Sequence, residues 1–385
     1  MKSKRYLLVL NVGSSSIKFT IFDKEEKFLD GLISDIGSRN PKFVVNNKFQ
    51  NIKIRNHNEA SKFLILYLKK VSINTFIYAV GYRIVHGGLK YHKTTVINDK
   101  VINDLEKLIP FDPVHLPTEI QLVKTFRNTF KDSKHIACFD TSFFHDLPNV
   151  AKLIPIPRKY ERKGIRKYGF HGISYKYLME ELKSKIGKEA MKRIVIAHLG
   201  SGASLASILN GAPIDTTMSL TPASGIPMST RSGDIDPGLC LYLLKTENMS
   251  VHEFNTLVNF KSGLLGVSDN SFDMKKLLEN ETKDKKSKEA VDLFCYHSRK
   301  AIGAMATTIG GIDILVFSGG IGEKSAKIRE RICDGLEFLG IDIDKELNGA
   351  NNEIISSQKS SVAVFVIHTD ESLVIAKEIS NIYDK

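Results

Sequence analysis

YLLVLNVGSSSIKFTIFD, residues 6–23, decides how this chain folds. Tyr6 to Leu10 is a short apolar run, NVGSSS supplies a Gly/Ser turn, and IKFTIFD alternates as a returning strand must. A polar turn at Asp23 to Lys27 then leads to a further strand near Phe28 to Ser34. The same grammar returns half a chain later in RIVIAHLG, SGAS and LASILNGAPIDT, residues 193–216. Two copies at that separation predict duplicated α/β halves facing each other across a cleft.

Helical signals fall between and after these strands. Pro117 suits the first position of a helix in which Leu122, Val123, Phe126 and Phe130 recur at helical spacing. A second helix is expected over about Lys288 to Thr308, stopping at Gly310 and Gly311 and feeding the strand IDILVF. That strand runs into SGGIGEKS and the charged helix AKIRERICDGLEFL, and a last strand, VAVFVI, precedes a helix beginning near Asp370.

With 385 residues the chain exceeds one ordinary core, so two domains are expected. The basic start KSKRYLLVL has too short an apolar run for a signal peptide, and no segment reaches membrane-spanning length. Cys138, Cys240, Cys295 and Cys333 lack the spacing of a zinc site or a disulfide framework, which fits a reducing cytoplasm. The net charge of +12 comes from dispersed lysines, as in KDKKSK at 283–288, without the interleaved aromatic residues a nucleic-acid platform needs. Small anionic substrates account for it better.

The chemistry-bearing stretches support that reading. TTMSLTPASGIPMSTRSGDIDPG, residues 216–238, is too irregular for a helix or strand, and its Arg231, two carboxylates and glycines form an anion-gripping inventory. NVGSSSIK and its echo GSGAS offer backbone N–H groups and hydroxyls to successive phosphates, and SGGIGEKS follows a buried strand and opens a helix, where glycines permit close approach to a nucleotide. Arg83, set in GYRIVHGG among Val80, Ile84 and Val85, must find an anion if its head is buried. Asp140 in CFDTSF stands at the end of an apolar strand, a place suited to holding a metal-bound water or a substrate group. No Ser/His/Asp order or H-E-x-x-H appears. Arginines, glycine turns and a few carboxylates suit phosphoryl transfer, where catalysis is mostly positioning and charge neutralisation.

NVGSSSIK, GYRIVHGG, FDPVHLP, CFDTSF, YGFHGIS, HLGSGAS, TRSGDIDPG, SGGIGEKS and HTDES occur in the order and rough spacing of the acetate kinase family, within the acetate and sugar kinase, Hsp70 and actin superfamily. The resemblance spans nearly the whole chain. It implies two ribonuclease-H-like (actin-like ATPase) domains with a central cleft, residues 1–147 and 148–371, the first joined by a C-terminal helix over 372–385. It also implies phosphoryl transfer between ATP and a short-chain carboxylate, acetate first and propionate as the alternative, with Mg²⁺ or Mn²⁺, in a cytoplasmic homodimer.

By the same resemblance, Arg83 and Arg231 bind the carboxylate and the transferring phosphoryl group, Asp140 is the catalytic aspartate, and His171 stabilises transition-state charge with His115 in support. Val85, Val114, Phe170 and Pro222 line the acyl pocket beside Arg83, and Asn11 and Glu371 lie around the metal. Nucleotide contacts fall on Ser14, Ser16 and Lys18, on His198, Leu199, Gly200, Ser201 and Gly202, on Asp273, Met274 and Lys275, and on Gly319, Gly320, Ile321, Gly322 and Lys324. Ser201 and Lys324 stand where the family has Asn, Lys275 where it has Arg, and Tyr82 where His is common; ASGIPM replaces a LEGLMM-like run. These departures touch nucleotide preference and spare every presumed catalytic group. The rival from another class is a non-enzymatic actin-like or chaperone-like ATPase, which would lack the paired arginines.

Overall fold

The computed structural model describes residues 5–46, 48–71 and 76–383; the outermost residues of the expected domains, 1–4 and 384–385, lie outside these. The chain separates into two compact units, one of residues 1–145, 171–177 and 370–385, the other of residues 146–170 and 178–369.

The first unit is built on an eight-stranded sheet. Its strands are β1 (Tyr6–Gly13), β2 (Ser16–Asp23), β3 (Glu26–Ser34), β4 (Lys42–Val45), β5 (Lys48–Asn51), β6 (Ile77–Ile84), β7 (Thr95–Val96) and β8 (Lys134–Phe139). The order is β5-β4-β3-β2-β1-β6-β8-β7, with β1, β2 and β3 antiparallel and β1, β6 and β8 parallel. The expected NVGSSS turn is shorter than read: β1 continues through Asn11 to Gly13, and only Ser14 and Ser15 make the hairpin. Asn11 is therefore held in a strand, paired across to Lys18.

β1 is apolar without alternation because both its faces are covered. Leu8, Leu10 and Val12 join one core, with Leu64 and Leu68 of the helix His57–Lys70 and Leu122, Val123 and Phe126 of the helix Leu116–Thr129. Leu7 and Val9 join another, with Val374, Ile375, Ala376 and Ile379 of the C-terminal helix Glu371–Tyr383. At about 1.5–3 kcal/mol for each large buried aliphatic side chain, these few residues suffice to fix the helix to the sheet. Gly81 in β6 sets how close it comes, since a Cβ there would lie 2.4 Å from Ile379 Cδ1 and 2.8 Å from Ile375 Cγ2.

The second unit repeats the plan. β9 (Ile194–Leu199), β10 (Ala203–Leu209), β11 (Ala212–Thr216), β12 (Ile314–Ser318) and β13 (Ala363–Val366) lie in the order β11-β10-β9-β12-β13. Again three antiparallel strands are followed by two that run parallel to the first. The duplication expected from the two strand-turn-strand segments is thus present in strand order and sense. The helix expected from Lys288 begins at Lys285, where Asp284 caps it by accepting from the Lys286 and Ser287 amides. Pro117 takes the second helical position, behind Leu116. No helix among the described residues is long and apolar enough to cross a membrane.

Candidate functional site

In the first unit the parallel strands β1, β6 and β8 end side by side, and each delivers one polar group. Arg83, one residue before the end of β6, points its fork at Asp140, the first residue after β8: Nε lies 3.0 Å from Oδ1 and Nη2 2.5 Å from Oδ2. This is the bidentate geometry that makes arginine–carboxylate pairs strong and directional. The side chains are 14% and 1% exposed, so the expectation that a buried Arg83 must find an anion holds.

Asn11 closes the group from β1. Its Oδ1 accepts from Arg83 Nη1 at 3.0 Å, and its Nδ2 donates to Glu371 Oε2 at 2.6 Å. Glu371 opens the C-terminal helix, so the packing of that helix on Gly81 brings its carboxylate here. Its other oxygen accepts from Ser174 Oγ at 2.6 Å, and Oε2 lies 3.7 Å from Arg83 Nε. Ser174 was not singled out from sequence; its position three residues after His171, in the first turn of the helix Gly172–Ile186, was the available signal.

Burial pushes the Asp140 carboxyl up, to about 6, against the opposing charge of Arg83. A backbone hydrogen bond from His171 also favours the ionised form. Gly172 donates its N–H to the Asp140 carbonyl at 2.9 Å, and a Cβ on Gly172 would lie 2.1 Å from that oxygen. His171 takes a left-handed backbone, φ 60°, rare for a residue with a side chain. The HGIS stretch is therefore pinned to Asp140 through its backbone, which fixes where the His171 ring begins.

His115 stands at the N-cap of the helix Leu116–Thr129, with Nδ1 2.9 Å from Asp112 Oδ1 and 3.2 Å from Oδ2. A carboxylate on Nδ1 selects the tautomer with its proton there. Burial opposes ionisation of Asp112, yet hydrogen bonds and charge from His115 hold its carboxyl below the usual range. Val85 is buried and Val114 half-buried in this unit, whereas Phe170 and Pro222, both buried, belong to the other. On β2, Ser16 is half-buried and Lys18 exposed, both on the face of the sheet that also carries Asn11, while Ser14 lies in the exposed hairpin.

In the second unit, residues 217–236 form an irregular segment tied by its own backbone. Asp234 N–H donates to the Gly225 carbonyl at 2.8 Å while the Asp234 carboxylate accepts from the Gly225 N–H at 2.9 Å. Asp236 caps the helix Pro237–Lys245 by accepting from the Gly238 and Leu239 amides. The two carboxylates of RSGDIDPG thus hold the loop, correcting their reading as part of an anion grip; Arg231 is the group suited to that task. Its Nη1 lies 3.3 Å from the Pro222 carbonyl. The segment also meets the GSGAS turn, where Ser229 N–H donates to the Ser201 carbonyl at 3.2 Å.

The expected nucleotide segments 198–202 and 318–322 are neighbours, because Ser318 pairs with His198 across β12 and β9. Gly319, φ +76°, lets the backbone pass where a Cβ would lie 2.7 Å from the Leu199 carbonyl. The Gly319 N–H already donates to Glu323 Oε1 at 2.9 Å, and Glu323 Oε2 lies 2.7 Å from His368 Nδ1. Leu199 and Met274 are buried core side chains, Asp273 caps the helix Met274–Asn280, and Lys275 and Lys324 are exposed. At 200–202 and 319–320, then, glycine and serine leave mainly backbone to present to a ligand, while His198 and Ile321 are half-buried.

Arg329, read from sequence as part of a charged helix, is fully buried. Its guanidinium donates to the carbonyls of Gly322, Glu323 and Asn348 and to the side-chain oxygens of Asn348 and Asn351, all within 2.8–3.0 Å. Carbonyls at the C-terminal ends of two short helices offset its charge, and burial still lowers its pKa to about 10. It ties the segment Gly319–Lys324 to the helix Lys345–Gly349.

A model described as the Acetokinase family matches residues 6–377. Acetate kinase from Rickettsia akari (strain Hartford) is 40% identical over 382 residues, covering 98% of this chain and 99% of that protein. The crystal structure of a propionate kinase from Francisella tularensis subsp. tularensis SCHU S4 matches with a TM-score of 0.91 at 32% identity, over 97% of this chain and 98% of that one. Acetate kinase from Porphyromonas gingivalis matches with a TM-score of 0.87 at 33% identity, over 98% and 100%. A match that takes in every motif from Asn11 to Glu371 and leaves almost nothing over on either side makes this chain a member of the acetokinase family.

Proposed function

We propose that the acetate kinase reaction of this chain, reversible transfer of the γ-phosphoryl group of ATP to acetate to give acetyl phosphate and ADP, is carried by Arg83, Asp140, His171 and Arg231. The observation that carries the assignment is the joined group of Asn11, Arg83, Asp140 and Glu371 at the ends of β1, β6 and β8. Arg83 offers a fork for the acetate carboxylate or the transferring phosphoryl oxygens, partly released from Asp140 when substrate arrives. Arg231 neutralises charge on the phosphoryl group, and His171, supported by His115, donates to it as charge builds in the transition state.

Two carboxylates, Asp140 and Glu371, surround the single cation Arg83, and Asn11 adds an amide group. This oxygen-rich, net negative set fits a hard divalent cation. Mg²⁺ binds through one or two carboxylates plus substrate phosphates rather than an all-protein cage. Asn11 and Glu371 would hold it, with Mn²⁺ as a substitute, and when bound it neutralises and orients the phosphates. Glycine-permitted backbone at 198–202 and 318–322 receives the nucleotide, and the two compact units correspond to the two actin-like domains.

Val85, Val114, Phe170 and Pro222 wall the acyl pocket. Val114, a methylene smaller than Leu, supports propionate as a second acceptor, in line with the likeness to a propionate kinase. The helix Pro237–Lys245 carries Leu239, Leu241 and Tyr242 exposed and buries none of its residues, which supports a homodimer through this face. Four free cysteines fit a cytoplasmic location.

Trapping acyl phosphate as hydroxamate, with ATP, Mg²⁺ and acids of two to four carbons, tests the assignment. Hydroxamate from acetate is the expected result. ATP hydrolysis without hydroxamate from any acid would favour the actin-like or chaperone-like alternative.

A further inference from the structure

Glu119 lies in the first turn of the helix Leu116–Thr129 and is 2% exposed. Both its oxygens face one donor, the backbone N–H of Val85, at 3.1 and 3.3 Å. Val85 stands two residues beyond Arg83 and one beyond the end of β6. We infer that Glu119 is a positioning residue for the carboxylate side of the site, holding Val85, and through it the end of β6 and Arg83, in register with the His115 helix. The inference rests on the reading that Arg83 and Val85 meet the substrate carboxylate.

Glu119 does this as a neutral acid. Besides Glu371, three carboxyl groups lie around Arg83 and His115, and their compensation is unequal. Asp140 receives two guanidinium donors and a backbone donor. Asp112 receives the His115 ring and the His115 N–H. Glu119 receives one amide, shared between its two oxygens. A buried carboxylate so poorly compensated costs several kcal/mol, and protonation is the cheaper outcome. Burial first, then the like charge of Asp112, push its carboxyl well above the usual range. A neutral Glu119 leaves the attraction of Arg83 for an anionic substrate undiminished.

Three proteins test this: wild type, Glu119→Ala and Glu119→Gln, the last keeping an acceptor for Val85 and a donor in place of the acid O–H. Loss of a positioning hydrogen bond worth about 1.4 kcal/mol predicts roughly tenfold higher KM for acetate in Glu119→Ala, with KM for ATP unchanged. Glu119→Gln should restore acetate KM to within about threefold of wild type. The infrared difference spectrum of wild type minus Glu119→Gln should show the carbonyl band of a protonated carboxylic acid, a readout independent of activity and of the folding of the Ala variant. If Gln is as impaired as Ala, or the band is missing, the neutral role is overturned. If the band is present but both KM values move together, or neither moves, the positioning role is overturned while protonation stands.

Discussion

Gly81→Ala adds one methyl group where the C-terminal helix rests on β6, and its effect should appear at Glu371. The new Cβ would sit 2.4 Å from Ile379 Cδ1 and 2.8 Å from Ile375 Cγ2. Ile379 Cδ1 is the far end of a side chain and can rotate away. Ile375 Cγ2 is branched next to the backbone, so relief there requires the helix to retreat. Against a normal carbon contact of about 3.6 Å the shortfall is about 0.8 Å. Overpacking of this size costs about 1–3 kcal/mol. Ile375 lies one turn from Glu371, so a retreat of that size lengthens the 2.6 Å bond from Asn11 to Glu371 to about 3.4 Å, beyond useful hydrogen-bond range. A misplacement near an ångström can cost about 100-fold in rate, so kcat/KM should fall by about 10- to 100-fold while the protein stays folded. Thermal denaturation beside steady-state hydroxamate assays would measure both effects. Ile375→Ala removes the obstructing Cγ2, so Gly81→Ala with Ile375→Ala should be less destabilised than the two changes summed, by about 1–3 kcal/mol. Wild-type turnover in Gly81→Ala, or strict additivity in the pair, would refute the reasoning.

Arg231→Lys keeps the charge but cannot reproduce a fork, so turnover should fall on the order of 10³-fold with the fold intact; turnover within a few-fold of wild type would remove Arg231 from the chemistry. Asp140→Asn should abolish most turnover and, by removing the bidentate partner of Arg83 and leaving only Glu371 at 3.7 Å, lower stability by about 3 kcal/mol. ATP titration should be unchanged in that variant, because Asp140 is bonded to Arg83 and belongs to none of the expected nucleotide segments; lost ATP affinity would make Asp140 a binding residue instead. Arg329→Lys cannot reach the five acceptors the guanidinium holds, so KM for ATP should rise by about tenfold with acetate KM unchanged; an equal rise in both would assign Arg329 to general stability alone.

Strands and glycine turns were legible because their signals are local. Strand-turn-strand in residues 6–23 and again in 193–216 needs only alternation and turn chemistry, and both hairpins form, with turns shorter than the NVGSSS and SGAS readings. Arg83 among apolar neighbours also announces a buried charge needing a partner. What the sequence hides is the partner's identity where it depends on topology: Asp140 follows Arg83 by 57 positions and Glu371 follows Asn11 by 360. The same holds for Arg329, whose acceptors are mostly backbone carbonyls that every residue possesses. The carboxylates of RSGDIDPG mislead for the opposite reason, since a loop holding itself and a loop holding an anion call on the same residue types. Glu119 gave no local signal at all, being an acidic residue in the first turn of a helix, where acids are favoured at the surface too.

Each unit presents the ends of parallel strands at the carboxyl edge of its own sheet, the edge where open α/β sheets place ligands, yet the two equip that edge in opposite ways. β1, β6 and β8 deliver Asn11, Arg83 and Asp140, whose side chains bond one another directly. β9 and β12 deliver Gly200, Gly202, Gly319 and Gly320, whose lack of side chains leaves the backbone as the surface on offer. On the proposed assignment, transfer of a phosphoryl group to a small carboxylate would use both kinds of edge. The reacting end requires charges fixed within an ångström, which demands side chains locked by mutual hydrogen bonds and by a helix seated against Gly81. The carrier end must admit a large polar molecule closely, which favours glycine and a turn braced from behind. Arg329 fits that bracing, since its bonds end on Gly322 and Glu323 and on the next helix without occupying the strand ends themselves.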